Sequence, residues 1–185
     1  MPLPEPAARD PIQTRQIEIS SFRRQDGMWD VEGRLVDVAA VSIKNYTGGI
    51  IEAGDPIHDM RLRLTLDDTV EIVSVDVSMD APPYPLCPGI VPAYQQLKGE
   101  KIGGGWNRRI RDLFGGVGGC VHIVDLLGLV GVLGFKSVIR ESGQDDAAPE
   151  DRADDKPYQV NTCHALSSKG EIVRDRWPEL YTGDR

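Results

Sequence analysis

Met60-Arg61-Leu62-Arg63-Leu64-Thr65-Leu66, then Asp67-Asp68, then Val73-Ser74-Val75-Asp76-Val77-Ser78-Met79: these residues decide the fold class. In both stretches apolar side chains alternate with polar ones. Successive side chains of a strand point to opposite faces, so a period of two marks a strand with one buried face. The two aspartates between them supply turn chemistry, and the whole reads as an antiparallel hairpin.

The same period appears upstream. Ile17 and Ile19 alternate with polar neighbours, Arg23-Arg24-Gln25-Asp26-Gly27 makes a turn, and Trp29, Val31 and Leu35 alternate against Asp30, Glu32 and Arg34. Four strands in two hairpins predict one antiparallel sheet. From Ala39 to Asp55 the alternation fades, and Gly48-Gly49 with Gly54-Asp55-Pro56 marks a loop, a candidate cover for a pocket.

Downstream the period changes. The run Ala81-Pro82-Pro83-Tyr84-Pro85-Leu86-Cys87-Pro88 lacks the backbone donors a central strand needs and crosses from sheet to helices. Ile90, Val91, Tyr94 and Leu97 then mark a short helix, Trp106, Ile110 and Leu113-Phe114 a second, and Val121 to Arg140 a third. Gly128, Gly131 and Gly134 recur every third residue of that helix. Each costs about 0.5–1 kcal/mol of helix stability relative to Ala, so the expected reason is a bare strip where another element packs closely. Strands first and helices later predict an α+β fold, the N-terminal hairpins forming an antiparallel sheet against C-terminal helices. A final short hairpin is expected from Thr162 to Leu166 and Glu171 to Arg174, joined by Ser167-Ser168-Lys169-Gly170.

The domain reading follows. Residues 1–13, rich in Pro and Ala, form a loose arm; residues 14–140 form a single α+β domain; residues 141–156 are an acidic linker. Residues 157–185 carry the last hairpin and a tail, held on the same domain by Trp177 and Tyr181. A chain of 185 residues fits one domain of ordinary size.

Composition narrows the function classes. A formal net charge of −8 and a pI near 4.9 argue against nucleic acid as partner. The N-terminus has neither the positive nor the apolar region of an export signal, so the expected compartment is the cytoplasm. Three cysteines in a reducing compartment read as free thiols or ligands. The apolar run from Cys120 to Ile139 contains His122, Asp125 and Lys136, which fits a buried core helix better than a membrane span.

All six Cys and His residues fall at the ends of expected elements, which suggests convergence on one site: Cys87, Cys120, Cys163, His58, His122 and His164. Gly115-Gly116-Val117-Gly118-Gly119 leads into Cys120 at a helix N-terminus, where backbone N–H groups and the dipole favour an anion and lower a thiol's pKa. His122 and Asp125, three residues apart on that helix, allow the carboxylate to orient the imidazole. Cys87, Cys120, His122 and either His58 or Cys163 make a donor set of the type that suits zinc or an iron–sulfur cluster. Lys101, Arg108, Arg109 and Arg111, beside Gly103-Gly104-Gly105, offer a receptor for a carboxylate, a phosphate or a coenzyme A moiety. The same arginines also suit the solvated face of an amphipathic helix. Tyr84, Trp106 and Trp29 are candidates for lining an apolar pocket or for the core.

Several runs carry a resemblance. Arg23 to Gly33, Gly54 to Met60, Pro83 to Pro88 and Leu113 to His122 together resemble a bacterial family classified only as a domain of unknown function. The likeness covers nearly the whole chain from Thr14 to Trp177 and implies no particular activity. Cys87, Leu97-Lys98-Gly99 and Cys120-Val121-His122 bear a fainter similarity to iron–sulfur scaffold proteins of the NifU type, which implies a cluster-carrying role.

The expected function is a small cytosolic enzyme acting on an anionic aromatic or acyl acid by lyase or hydrolytic chemistry. In that reading His122 is general acid or base oriented by Asp125, and Cys120 is nucleophile or ligand. His58 and Asp59 are accessory groups, and Arg108, Arg109, Tyr84 and Trp106 bind substrate. The alternative is a noncatalytic zinc, iron–sulfur or sulfur carrier built on Cys87, Cys120, His122 and His58. Neither membrane nor nucleic acid is expected as partner, and oligomeric state is left open.

Overall fold

The computed structural model describes residues 2–142 and 159–183. Six strands, β1 (Gln13–Arg23), β2 (Trp29–Ala39), β3 (Ile43–Lys44), β4 (Ile50–Ile51), β5 (Pro56–Leu66) and β6 (Ile72–Ala81), precede the helices. A 3₁₀ segment (Cys87–Leu97), α1 (Trp106–Phe114) and α2 (Val121–Glu141) follow, and α3 (Glu171–Arg176) lies near the end. The chain falls into two compact units, one through Val138 and one from Ile139.

In the first unit β1, β2, β5 and β6 form one antiparallel sheet in the order β1-β2-β5-β6. The alternating residues set its two faces. Val31 stands opposite Leu64, Gly33 opposite Leu62 and Leu35 opposite Met60, and Val31, Leu35, Met60, Leu62 and Leu64 are all buried. Residues of the other parity form a charged outer face of crossed ion pairs, Arg63 with Asp76 and Arg61 with Asp80 among them. The weakly patterned connection between β2 and β5 contains the small β3–β4 hairpin.

α2 covers the inner face, and glycines set the closeness. A Cβ on Gly33 would lie 2.8 Å from Val130 Cγ2, and one on Gly134 would lie 2.8 Å from Leu66 Cδ1. The Ser21 and Ser137 hydroxyls meet at 2.8 Å farther along the helix. Gly131 faces the indole of Trp106, whose Nε1 donates to the Leu127 carbonyl at 2.9 Å. The three-residue glycine spacing of α2 therefore does serve close packing. By length and hydropathy α2 is also apolar enough to cross a membrane; here Ile123, Leu126, Leu127 and Val130 are buried within the fold.

Trp106 is a rigid neighbour that cannot swing away from an added methyl group. Gly131→Ala is expected to destabilise the protein by about 1–3 kcal/mol despite the better helix propensity of Ala. In urea unfolding the midpoint should fall while the slope stays unchanged.

The expected final hairpin is not formed. His164–Leu166 is a 3₁₀ turn, and the segment expected as the second strand is α3. Gly170 stands at the N-cap, Glu171 in the first turn and Arg174 and Arg176 in the last, a charge order that complements the helix dipole. A two-stranded hairpin of four or five residues a side has little to hold it together in water. The expected acidic linker falls mostly on residues 143–156, outside the described residues.

Candidate functional site

The inner face changes character at one end of the sheet. Continuing the row Ile17–Leu35–Met60, the register places Arg15 opposite Asp37 and Asp37 opposite His58. Strand parity turns all three toward the helix side. The register shifts between Asp37 and Val38, and such bulges bend a strand and re-aim side chains. From above, the first turns of α2 bring His122 and Asp125.

Asp37 is the hub, fully buried. Arg15 donates to both of its oxygens, Nε to Oδ1 and Nη2 to Oδ2, each at 2.7 Å. His58 Nδ1 lies 2.9 Å from Asp37 Oδ2, and His122 Nε2 lies 3.7 Å from that same oxygen. The two imidazole rings are 3.9 Å apart between centroids and tilted by 42°. Arg15 also reaches Asp125, Nη1 to Oδ2 at 3.6 Å.

Cys120 caps this arrangement. Its carbonyl accepts the Val124 N–H in the first turn of α2, and its own N–H donates to the Tyr94 hydroxyl at 2.8 Å. Tyr94 is fully buried, which pushes its phenol up to about 12 and keeps it protonated. The Cys120 thiol lies 3.8 Å from His122 Nδ1. His122 therefore presents one ring nitrogen to sulfur and the other to the carboxylate.

The electrostatics assign charge states. The Arg15 hydrogen bonds hold the Asp37 carboxyl below its ordinary range against the opposing effect of burial, and His58 adds to the same effect. Burial pushes His122 below the ordinary imidazole value, and His58 and Arg15 push it further; Asp37 and Asp125 act in the opposite sense. At neutral pH the cluster holds an ionised Asp37, a charged Arg15 and a neutral His122.

Of the residues expected at a site, the structure brings together His58, His122, Cys120 and Asp125. Asp125 faces Arg15, and the carboxylate nearest the His122 ring is Asp37. Asp59 lies on the opposite face, paired with Arg34 at 2.6 Å and Arg61 at 3.8 Å, because adjacent strand residues point to opposite sides. Arg109 is tied to Glu100, and Arg108 is exposed beside Asp112. Trp106 belongs to the core, and Tyr84 is exposed with its ring edge-on to Tyr46 at 5.4 Å. Cys87 begins the 3₁₀ segment, half-buried, whereas Cys163 and His164 belong to the second unit.

Among the described residues, the metal-capable set is Asp37, His58 and His122, whose donor atoms lie within 4.8 Å of one another. Neither Cys87 nor Cys120 belongs to it. Sequence reasoning missed Asp37 and Arg15. The signal was parity: Asp37 falls in the inward series Val31, Leu35, Ala39, and Arg15 in the series of Ile17 and Ile19. A separate concavity of about 510 Å³, lined by Glu18, Arg34, Arg61, Arg63 and Asp76, lies on the outer face, away from this cluster.

No curated protein and no solved structure matches the chain. A family model described as a protein of unknown function, DUF2889, matches residues 13–135, from the first residue of β1 well into α2. That span contains every member of the cluster, from Arg15 to Asp125, and the chain belongs to this family of unknown function.

Proposed function

We propose that the protein is a small enzyme acting on an anionic organic acid, aromatic or acyl, by acid/base chemistry of lyase or hydrolytic type. The supporting observation is a buried carboxylate that serves two imidazoles at once. Asp37 accepts from His58 Nδ1, which orients the ring and turns Nε2 away from the carboxylate. His122 is neutral near pH 7, as a general base must be before it takes a proton. Two rings in contact do not both protonate readily, so one imidazole accepts a proton while the other remains available to relay it. Arg15 offsets the charge of Asp37, which lowers the electrostatic penalty for an incoming anion.

Cys120 joins this reading as a thiol beside His122, placed to lose its proton to the ring during attack on an acyl carbon. Acidic composition and three free cysteines fit a reducing bacterial cytoplasm. The rival is a noncatalytic metal, iron–sulfur or sulfur carrier. The paired histidines favour metal over a cluster, since the cysteines stand outside the three-donor set.

Melting of the full chain in the presence of benzoate, hydroxybenzoates, short acyl acids and their coenzyme A esters tests the enzyme reading. Specific binding stabilises the native state by about 2.7 kcal/mol at a hundredfold excess over Kd. A rise in Tm with one such acid, lost in His58→Gln, supports it. A panel that leaves Tm unmoved, with no turnover of any member, removes it. A visible spectrum of anaerobically purified protein showing a cluster chromophore would favour the carrier.

A further inference from the structure

We propose that Asp37, His58 and His122 bind one divalent first-row transition metal, zinc being the type ion, with a coordination position left open for water or an anion. The inference goes beyond the acid/base reading and stands on donor geometry alone.

The three donors are Asp37 Oδ2, His58 Nδ1 and His122 Nε2. Bonds of about 2.0–2.1 Å around a tetrahedral or octahedral ion place neighbouring donors about 2.9–3.4 Å apart. The observed separations from Oδ2 are 2.9 Å to His58 and 3.7 Å to His122, with all three atoms inside 4.8 Å. The His58 separation is already in range, and the His122 separation comes into range with a shift of a few tenths of an ångström. Two imidazoles and one carboxylate suit zinc, iron, cobalt or nickel, and three protein donors leave the vacancy typical of catalytic sites.

Two further contacts prepare the donors. Arg15 Nε holds Asp37 Oδ1 and Nη2 donates to Oδ2, which orients the carboxylate and leaves the second lone pair of Oδ2 for the metal. The Cys120 sulfur faces His122 Nδ1, so Nε2 is the ring nitrogen turned toward Asp37 Oδ2. His58 becomes a ligand by moving its proton from Nδ1 to Nε2, with no net proton lost. Charge also matters: Arg15 is positive, Asp37 and Asp125 are negative, and a dication leaves the cluster with one net positive charge. An anion in the open position restores neutrality.

The test is titration of the chelator-treated full chain with Zn²⁺ by calorimetry and with Co²⁺ by visible absorption. The expected result is one equivalent bound, a raised Tm, and cobalt d–d bands without thiolate charge transfer. His58→Ala and His122→Ala should each weaken binding about 100-fold or more, Cys120→Ser about 10-fold, and Cys87→Ser not at all. Because a variant can lose its fold, imidazole ¹⁵N spectra of the unmodified protein provide a second reading. On adding Zn²⁺, His58 Nδ1 and His122 Nε2 should shift and the His164 ring should not. Absence of stoichiometric binding, or a titration that perturbs neither ring, overturns the metal site even if an organic acid still raises Tm. Zinc binding with no response to any acid upholds the metal site and removes the acid/base enzyme.

Discussion

Arg15→Ala is expected to cost about 1–3 kcal/mol of folding stability, less than for a fully buried pair because solvent screens the guanidinium. The reason is asymmetric burial. Arg15 is partly open to solvent, with its side chain 40% exposed, whereas the Asp37 carboxylate it leaves behind is fully enclosed. Removing the guanidinium strands a buried charge with His58 as its remaining close partner. Asp37→Asn should cost less, since the neutral amide keeps the shape and leaves Arg15 free to find water. Chemical denaturation of the three proteins at pH 7 gives the order.

The pH dependence carries the sign. The Asp37 pKa in the folded protein is held below its ordinary value of about 3.9. Its contribution to stability is therefore fully present above pH 4 and is lost as pH falls through the folded pKa. In Arg15→Ala the same carboxyl is expected to rise in pKa, because desolvation then acts without the guanidinium. The stability difference between unmodified and variant protein should narrow on acidification below pH 5. A difference that stays constant from pH 7 to pH 4 would show that the pair contributes through packing instead.

The second large effect concerns turnover. With a substrate identified, His122→Ala should lower kcat/KM by about 10²–10⁴-fold, the usual contribution of a positioned acid or base. Tm should move far less, because Asp37 keeps Arg15 and His58 as partners and no unpaired charge is left behind. Asp125→Asn should be mild, since that carboxylate touches the outer side of Arg15 rather than the ring. A variant pair in which Asp125→Asn inactivates and His122→Ala does not would move the working centre to the Arg15–Asp125 edge.

The fold was legible where a single period persisted. Residues 60–79 alternate long enough to exclude a helix, and the apolar series of α2 is long enough to exclude a strand. The segment 162–174 offers only a few residues of either period. Its helix-compatible features, Gly170, Glu171 and the two arginines, are end signals rather than periodicity. The site was half legible for a related reason. Rarity drew attention to His58 and His122, and the structure places their rings in contact. Asp37 carries no such rarity among the chain's many carboxylates; it stands out only once β2 is followed past Leu35 and its parity is counted. The same count sends Asp59 to the opposite face from its chain neighbour His58. Charge along the sequence groups Arg108 with Arg109 but does not reveal that Glu100 holds Arg109 and that Arg108 is exposed beside Asp112.

α2 is seated by Gly131 against Trp106 and carries His122 in its first turn, so that a tilt at the seat is carried to the imidazole. Nine residues at about 1.5 Å each separate the two positions by about 13 Å. A tilt of about 5° at that seat therefore swings the imaginary line of the helix enough to displace the imidazole by about 1 Å, and a misplacement of that size can cost about 10²-fold in rate. If the acid/base proposal holds, substitutions deep in the apolar core around Trp106 would tune activity without touching the polar cluster.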